Sequence, residues 1–435
     1  MLIQRARSGE SRGRVEPLPD DARLVLSSRR VMFDFLVKGD RPGDDPIFAL
    51  NAEASARKAR GEPIINATIG ALLDDDGSLS ILPTAARAIR EVPASEWAPY
   101  APISGSPAFL EAVLDDLFPA RPSMRGTAFA VATPGGSGAL RHAIATFLER
   151  GQALLTTSFY WGPYATIADE HERRVETFSM FADDGKALDV GALDRALERQ
   201  IKEQGRVLLF LNDPCHNPTG YSMSEADWEQ AAAVIGRHAD KAPVAVLLDA
   251  AYSAYRPGAL DVPLGYLERL ADRALVLAAW SASKSFTQYG LRVGALVSVV
   301  PDVKERGRIR AALGYASRGS WSNCNRGGMA AIARCLTDPD LKSAAAAERG
   351  SLVQLLQDRV QAFNDAARPK GLRYPRYDGG FFVTVFTENG KQTAEQMRAE
   401  GVYVVPQAGA VRVALCSVAA SDVPRLVDSL ARAAK

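Results

Sequence analysis

Between residues 128 and 300 seven short apolar runs recur, at 128–132, 153–157, 175–181, 207–211, 244–248, 274–279 and 293–300. Each has the length of one strand, and most intervals between them carry helical periodicity, as at 137–150, 190–203 and 225–238. Strands that are apolar throughout and alternate with amphipathic helices form a sheet buried on both faces. The pattern predicts an α/β fold: a three-layer large domain around a mainly parallel seven-stranded sheet. In such sheets ligands gather beyond the carboxyl ends of the strands. The residues just after each run are therefore the first candidates for a site.

The chain has 435 residues, more than one core usually holds, so a second domain is expected. Helical patterns cover 45–60, 83–91 and 106–118, and a long one covers 338–367. The tail mixes strand-like runs at 381–385, 402–405 and 411–416 with helices at 393–400 and 420–433. We expect residues 81–337 to form the large domain, residues 45–80 and 338–435 a smaller α+β domain, and residues 1–44 a polar N-terminal arm.

A formal net charge of +1 gives no reason to expect a nucleic-acid partner, and no apolar run approaches the roughly 20 residues of a membrane span. The four cysteines and four histidines are scattered and fit no metal spacing. Residues 1–14 are rich in Arg and Ser, but Glu10, Glu16, Asp20 and Asp21 oppose a transit peptide. The expectation is a cytoplasmic protein with reduced thiols and no metal.

Four motifs stand at the ends of the apolar runs. Gly135-Gly136-Ser137-Gly138 opens a helix, where free N–H groups suit a phosphate; a plain strand-to-helix turn would look the same. Asn217 lies in a loop with two X-Pro bonds, Asp213-Pro214 and Asn217-Pro218, which predicts a rigid, extended segment or merely a turn that ends the strand. Asp249 ends an apolar run and must find a donor or a cation; the protonated nitrogen of a pyridine ring would serve, as would a helix cap. Lys284 sits in a hydroxyl-rich loop, Ser281-Ala282-Ser283-Lys284-Ser285, eight residues before Arg292. A lysine so placed can lose its proton and form an imine, and arginine offers a fork matched to phosphate; the lysine could also be a solvated loop residue and the arginine part of a surface salt bridge. Taken in order along one domain, these are the parts that hold pyridoxal phosphate.

The sequence resembles the pyridoxal-phosphate-dependent aminotransferases of fold type I, class I/II, and within them the aspartate/aromatic aminotransferase group. The resemblance runs from about Asp45 to the C-terminus. It rests on Ile69-Gly70-Ala71, Asp74-Asp75-Asp76-Gly77, Tyr100-Ala101-Pro102-Ile103-Ser104-Gly105 and Ser137-Gly138-Ala139-Leu140-Arg141. It continues through Trp161-Gly162, His216-Asn217-Pro218-Thr219-Gly220, Asp249-x-x-Tyr252, Ser281-x-x-Lys284, Tyr289-Gly290-x-Arg292-Val293-Gly294, Arg318-Gly319-Ser320-Trp321-Ser322-Asn323 and Arg412-Val413-Ala414.

The resemblance implies that Lys284 forms the imine with the cofactor and later moves the Cα proton. It implies that Asp249 pairs with the ring nitrogen, that Asn217 and Tyr252 bind the phenolic oxygen, and that Trp161 stacks on the ring. Gly136, Ser137, Ser281 and Arg292 would hold the phosphate, joined by Tyr100 of the neighbouring subunit in a homodimer. Arg412 would grip the substrate α-carboxylate, with Gly70, Trp161 and Asn217 beside it, and Arg318 of the partner would bind a side-chain carboxylate. The implied reaction exchanges an amino group between an L-amino acid (aspartate, glutamate or aromatic) and a 2-oxo acid such as 2-oxoglutarate. A lyase or decarboxylase using the same cofactor on the same fold is the alternative. Tyr164, Gly135, Ser283 and Cys324 depart from the group's usual histidine, serine, alanine and proline.

Overall fold

The computed structural model describes residue 43, residues 46–182 and residues 185–434. The arm expected over 1–44 lies outside the described residues except for Gly43. Among the described residues twelve strands occur in chain order: β1 (Ile65–Asn66), β2 (Ala128–Pro134), β3 (Ala153–Thr157), β4 (Arg174–Phe178), β5 (Val207–Asn212) and β6 (Val244–Asp249). The remaining six are β7 (Leu275–Ser281), β8 (Val293–Val299), β9 (Phe382–Phe386), β10 (Val402–Tyr403), β11 (Val405–Gln407) and β12 (Ala410–Ala414).

All seven apolar runs become strands of one sheet, in the order β2-β8-β7-β6-β5-β3-β4. Only β8 runs against its neighbours, pairing antiparallel with both β2 and β7. Every residue of β3, β5, β6 and β8 is buried. That accounts for their unbroken apolarity, since helices cover both faces and each Leu or Val side chain so buried contributes about 1.5–3 kcal/mol. The run at 175–181 ends as a strand at Phe178. Beyond it the chain turns over Ser158, whose hydroxyl accepts from the Met180 N–H at 3.1 Å.

Local chemistry sets the helix ends. Asp189 caps Val190–Gln204 through the Ala192 N–H, and Gly205 closes it in a left-handed conformation. Ser224 and Asp227 form a reciprocal capping box on Glu225–Ala239. The helix Val303–Arg318 buries only Leu313 and Ser317, so no apolar stripe announces it in the sequence.

The C-terminal segment builds a three-stranded antiparallel sheet, β11-β12-β9, and β10 pairs in parallel with β1. The single strand expected over 402–405 is thus two, paired with different partners. The long helix Pro339–Ala367 presents Leu356, Val360, Phe363 and Ala367 on one face to the core of this sheet, while Ala345, nearer its start, belongs to the core of the large sheet. Among the described residues no helix is long and apolar enough to cross a membrane.

Register fixes where the site must be. Asn212 stands opposite Asp249, Asp249 opposite Ala279, Ser281 opposite Gly294, and Val293 opposite Pro134. The ends of β5, β6, β7 and β2 and the start of β8 therefore share one edge of the sheet. All four motifs open from that edge.

Candidate active site

The helix Gly135–Phe147 begins directly where β2 ends, so its first N–H groups face the shared edge. Two glycines let the parts close up. Gly135 has φ +69°, and a Cβ there would fall 2.5 Å from Arg292 Nη2; a Cβ on Gly294 would fall 2.5 Å from the Gly135 carbonyl carbon. The departure of Gly135 from the family serine is explained by this crowding. Arg292 is held by donation to the Tyr289 carbonyl at 2.9 Å, to Ser283 Oγ at 3.2 Å and to the Pro134 carbonyl at 3.4 Å. Ser283, another departure, thus supplies an acceptor that alanine would lack. Gly136 lies against Ser281, whose Oγ accepts from the Ser283 N–H and caps the short helix Ala282–Ser285.

Lys284 sits in that short helix. Its Nζ donates to the Gly70 carbonyl at 2.7 Å and lies 4.4 Å from the centre of the Tyr289 ring. Tyr252 and Phe381 complete the aromatic wall, with ring centres 5.8 and 5.6 Å away. Burial, seconded by repulsion from Arg292 and Arg412, lowers the Lys284 pKa to about 8. The nearby Cys416 thiol is pushed up to about 12 by burial.

Asp249 is buried at the end of β6. Burial raises its pKa, opposed by the Tyr164 hydroxyl, which donates to Oδ2 at 2.7 Å, and by the Ala251 N–H, which donates to Oδ1 at 3.3 Å. Tyr164 stands where the family has a histidine, and its phenol pKa is pushed far up, by burial first and then by Asp249. Asn217 Nδ2 lies 3.3 Å from Tyr252 Oη, and Asn217 Oδ1 is buried with no hydrogen-bond partner among the described residues. The loop that presents Asn217 is folded back rather than extended. The His216 N–H reaches the Tyr221 carbonyl at 2.9 Å, the Gly220 N–H reaches the His216 carbonyl at 2.6 Å, and the Asn217 N–H is tied to Asn212 Oδ1 at 2.6 Å.

Arg412 extends from β12, buried, with its guanidinium 4.7 Å above the Phe382 ring and Nη2 donating to the Thr68 carbonyl at 2.6 Å. Phe382 also explains Gly70, where a Cβ would fall 2.6 Å from the Phe382 ring. Trp161 is half-buried and meets Tyr164 edge-on, with ring centres 6.0 Å apart.

Contacts thus link Gly70, Gly136, Asn217, Asp249, Tyr252, Ser281, Lys284 and Arg292 into one neighbourhood, with Ser137 in the first turn of the helix Gly135–Phe147. Tyr100 and Arg318 stand apart from it. Tyr100 is 88% exposed, and Arg318 is exposed at the end of its helix, donating to Ser322 Oγ. Cys324 lies beyond that turn, half-buried. Tyr289, Phe382 and Thr68 were not foreseen in these contacts. Tyr289 alone had a signal, its place between Lys284 and Arg292.

Comparison with known proteins agrees with this arrangement. A profile of the family described as "Aminotransferase class I and II" matches residues 62–430. A tyrosine aminotransferase of Klebsiella pneumoniae is 28% identical over 390 residues, covering 87% of this chain and 95% of the relative. An aromatic-amino-acid aminotransferase of Pseudomonas aeruginosa is 30% identical over 314 residues, 70% of this chain and 74% of the relative. Among solved structures, an aminotransferase from Anaerococcus prevotii superposes with a TM-score of 0.87 at 30% identity, covering 93% of this chain and all of that one. The chain belongs to the class I and II aminotransferases, pyridoxal-phosphate enzymes of fold type I that exchange an amino group between an amino acid and a 2-oxo acid.

Proposed function

We propose that the site at the carboxyl edge of the large sheet runs this exchange with Lys284 as proton carrier and Asp249 as anchor of the cofactor ring. The observation that carries the reading is the half-buried Lys284 amine, its pKa lowered to about 8, in the short helix that follows β7, the strand beside the one that ends in the buried Asp249 carboxylate. The residues fit pyridoxal phosphate. Asn217 Oδ1 is a buried acceptor unmatched among the described residues, and the glycine-lined helix start beside Arg292 suits a phosphate. Gly136, Ser137, Ser281 and Arg292 would hold that phosphate, while Asn217 and Tyr252 would meet the ring oxygen and Trp161 the ring face.

Bound there, the cofactor supplies an aldehyde for the substrate amine and an electron sink for the Cα carbanion. The chain's own groups do the rest. Lys284 Nζ, already partly neutral near pH 8, would take the Cα proton from the substrate and hold it for return. The Gly70 carbonyl, 2.7 Å away, gives the amine a fixed resting place. Asp249 keeps a negative charge at the ring nitrogen, and Arg412 takes the α-carboxylate in a two-pronged bond.

The proposed substrates are L-amino acids with dicarboxylic or aromatic side chains, with 2-oxoglutarate as acceptor. Relatives of this chain carry the names tyrosine, aromatic-amino-acid and aspartate aminotransferase. The reading includes a cytoplasmic homodimer in which Tyr100 and Arg318 complete the partner's site; their exposure in the single chain supports it. It also includes a small domain of residues 45–80 and 338–435 that carries Arg412 over the large domain of residues 81–337.

The test is Lys284→Ala, assayed with a panel of amino donors against 2-oxoglutarate. Loss of turnover together with loss of the cofactor's visible absorption band is expected. Undiminished turnover in that variant rejects the assignment, and release of ammonia or carbon dioxide by the wild type would indicate a lyase or decarboxylase instead.

A further inference from the structure

We propose that His142 and Trp321 are positioning residues that aim Arg318 and so set the preference for dicarboxylic substrates. The inference rests on the proposed function, in which Arg318 meets the distal carboxylate in the partner's site. It adds the device that holds Arg318 in place, which stands on the helix that opens the phosphate cradle.

His142 belongs to the helix Gly135–Phe147, and Ser317 precedes Arg318 at the end of Val303–Arg318. Both side chains are fully buried, with His142 Nε2 2.9 Å from Ser317 Oγ. Burial first, then repulsion from Arg141 and His171, pushes the His142 pKa down to about 3, so the ring is neutral at working pH. Arg141 Nη1 lies 3.2 Å from His142 Nδ1, and a guanidinium can only donate. Nδ1 is therefore the acceptor, and the proton sits on Nε2 and is donated to Ser317.

Ser317 in turn organises the turn after the helix. Its carbonyl accepts from the N–H groups of Ser320, Trp321 and Ser322 at 3.2, 3.2 and 2.9 Å. Ser322, in a left-handed conformation at φ +66°, accepts at its hydroxyl oxygen from Arg318 Nη1. The Trp321 indole lies against the His142 ring, with centres 4.3 Å apart and planes at 32°, and the Arg141 guanidinium is 5.7 Å over the indole. The turn that displays Arg318 is thus gripped by one hydroxyl, three backbone N–H groups and one aromatic stack. The hydroxyl and the stack both end on His142, with Arg141 beside them. Arg318 itself is exposed beyond this grip. An arginine that must meet a carboxylate with two parallel bonds depends on such a mount, because small errors in its direction cost one of the two bonds.

The test uses the cofactor-loaded dimer and measures kcat and KM separately for glutamate and phenylalanine. Calorimetric titration with glutarate, a dicarboxylate without an amine, reads binding apart from turnover. Arg318→Ala sets the reference, with glutamate KM raised roughly 100-fold and phenylalanine nearly unchanged. His142→Phe keeps the ring volume and the stack but removes the donor; it should raise glutamate KM and weaken glutarate about tenfold, again sparing phenylalanine. His142→Gln, whose amide can reach Ser317, should recover most of the loss. His142→Phe added to Arg318→Ala should cost nothing further, since both act through one group. Ser317→Ala, which deletes only a hydroxyl, must shift the preference the same way and serves if the histidine variants fold poorly. Equal losses for both donors, or unchanged preference in both His142→Phe and Ser317→Ala while Arg318→Ala shifts it, overturns the positioning role alone. An Arg318→Ala enzyme that keeps its glutamate KM overturns the reading of Arg318 and this inference with it.

Discussion

The Tyr164 hydroxyl donates to Asp249 Oδ2 at 2.7 Å, placing a neutral phenol behind the carboxylate at the end of β6. Burial raises the Asp249 pKa and this bond opposes the rise. A phenol with its own pKa pushed far up stays a donor at every working pH. The arrangement therefore favours the anion without adding a second titrating group.

Tyr164→Phe should raise the Asp249 pKa further. A lost bond to a charged group is worth about 1.5–3 kcal/mol, so cofactor Kd should weaken about 10- to 100-fold. Because the anion is the form proposed to hold the ring nitrogen, acid release of the cofactor should move to higher pH. Tyr164→His keeps a donor and should fall between. Spectral titration of cofactor binding against pH checks this, and a Phe variant with wild-type affinity and an unmoved release midpoint would refute it.

Lys284 gives a prediction for the protein without its cofactor. Its pKa is lowered from the ordinary 10.5 to about 8. Between those values the unfolded chain binds a proton that the native state does not, so stability rises with pH across this window. Below about pH 8 the native state carries a buried ammonium and the advantage is gone. The urea midpoint of the cofactor-free protein should rise from pH 7.5 to pH 9.5, and Lys284→Met should abolish that rise. Parallel slopes in the two proteins would contradict the assignment.

The proposed phosphate cradle depends on backbone closeness. Gly135→Ala adds a Cβ 2.5 Å from Arg292 Nη2 at a φ of +69°. Arg292 must swing away, and the strained backbone costs about 1–2 kcal/mol besides. The variant should bind pyridoxal phosphate at least about tenfold more weakly while pyridoxal, which lacks the phosphate, is unaffected. Equal effects on both compounds would place the damage elsewhere.

How much the sequence makes legible depends on chain distance. The runs that become β5 and β6 are continuous and apolar because every residue in them is buried, so their ends, and hence Asp249, can be read directly. Lys284 and Arg292 fall close together on either side of one turn. Tyr289 is different in kind, because its hydroxyl accepts from the N–H of Leu72, 217 residues earlier, and only folding reveals the pairing. The stretch 402–405 reads as one strand because it is a continuous apolar run, Val402-Tyr403-Val404-Val405, yet strand pairing divides it between β1 and β12. Tyr100 and Arg318 can be recognised by motif, but in the single chain both side chains are exposed.

Arg359 supplies the last prediction. Its side chain is 0% exposed in the long helix, where it meets Asp75 Oδ1 at 2.7 Å. It also donates to the carbonyls of Leu73 at 2.7 Å and Cys416 at 2.8 Å. One guanidinium therefore ties the segment after Gly70 to the strand end after Arg412, the two sides between which a substrate α-carboxylate would lie. The outward half of Asp75 remains in solvent, so removing the arginine strands two carbonyls rather than a fully buried charge. Arg359→Met fills the space with apolar atoms and should cost roughly 2–4 kcal/mol of stability, near the lower end for breaking a buried pair. Because both tethered segments flank the site, KM for every amino donor should rise together, with kcat less affected. That uniform rise separates Arg359 from Arg318, whose loss should single out dicarboxylates. Urea unfolding and a donor panel measure the two effects, and a variant that loses stability while keeping every KM would show that the tether serves the fold alone.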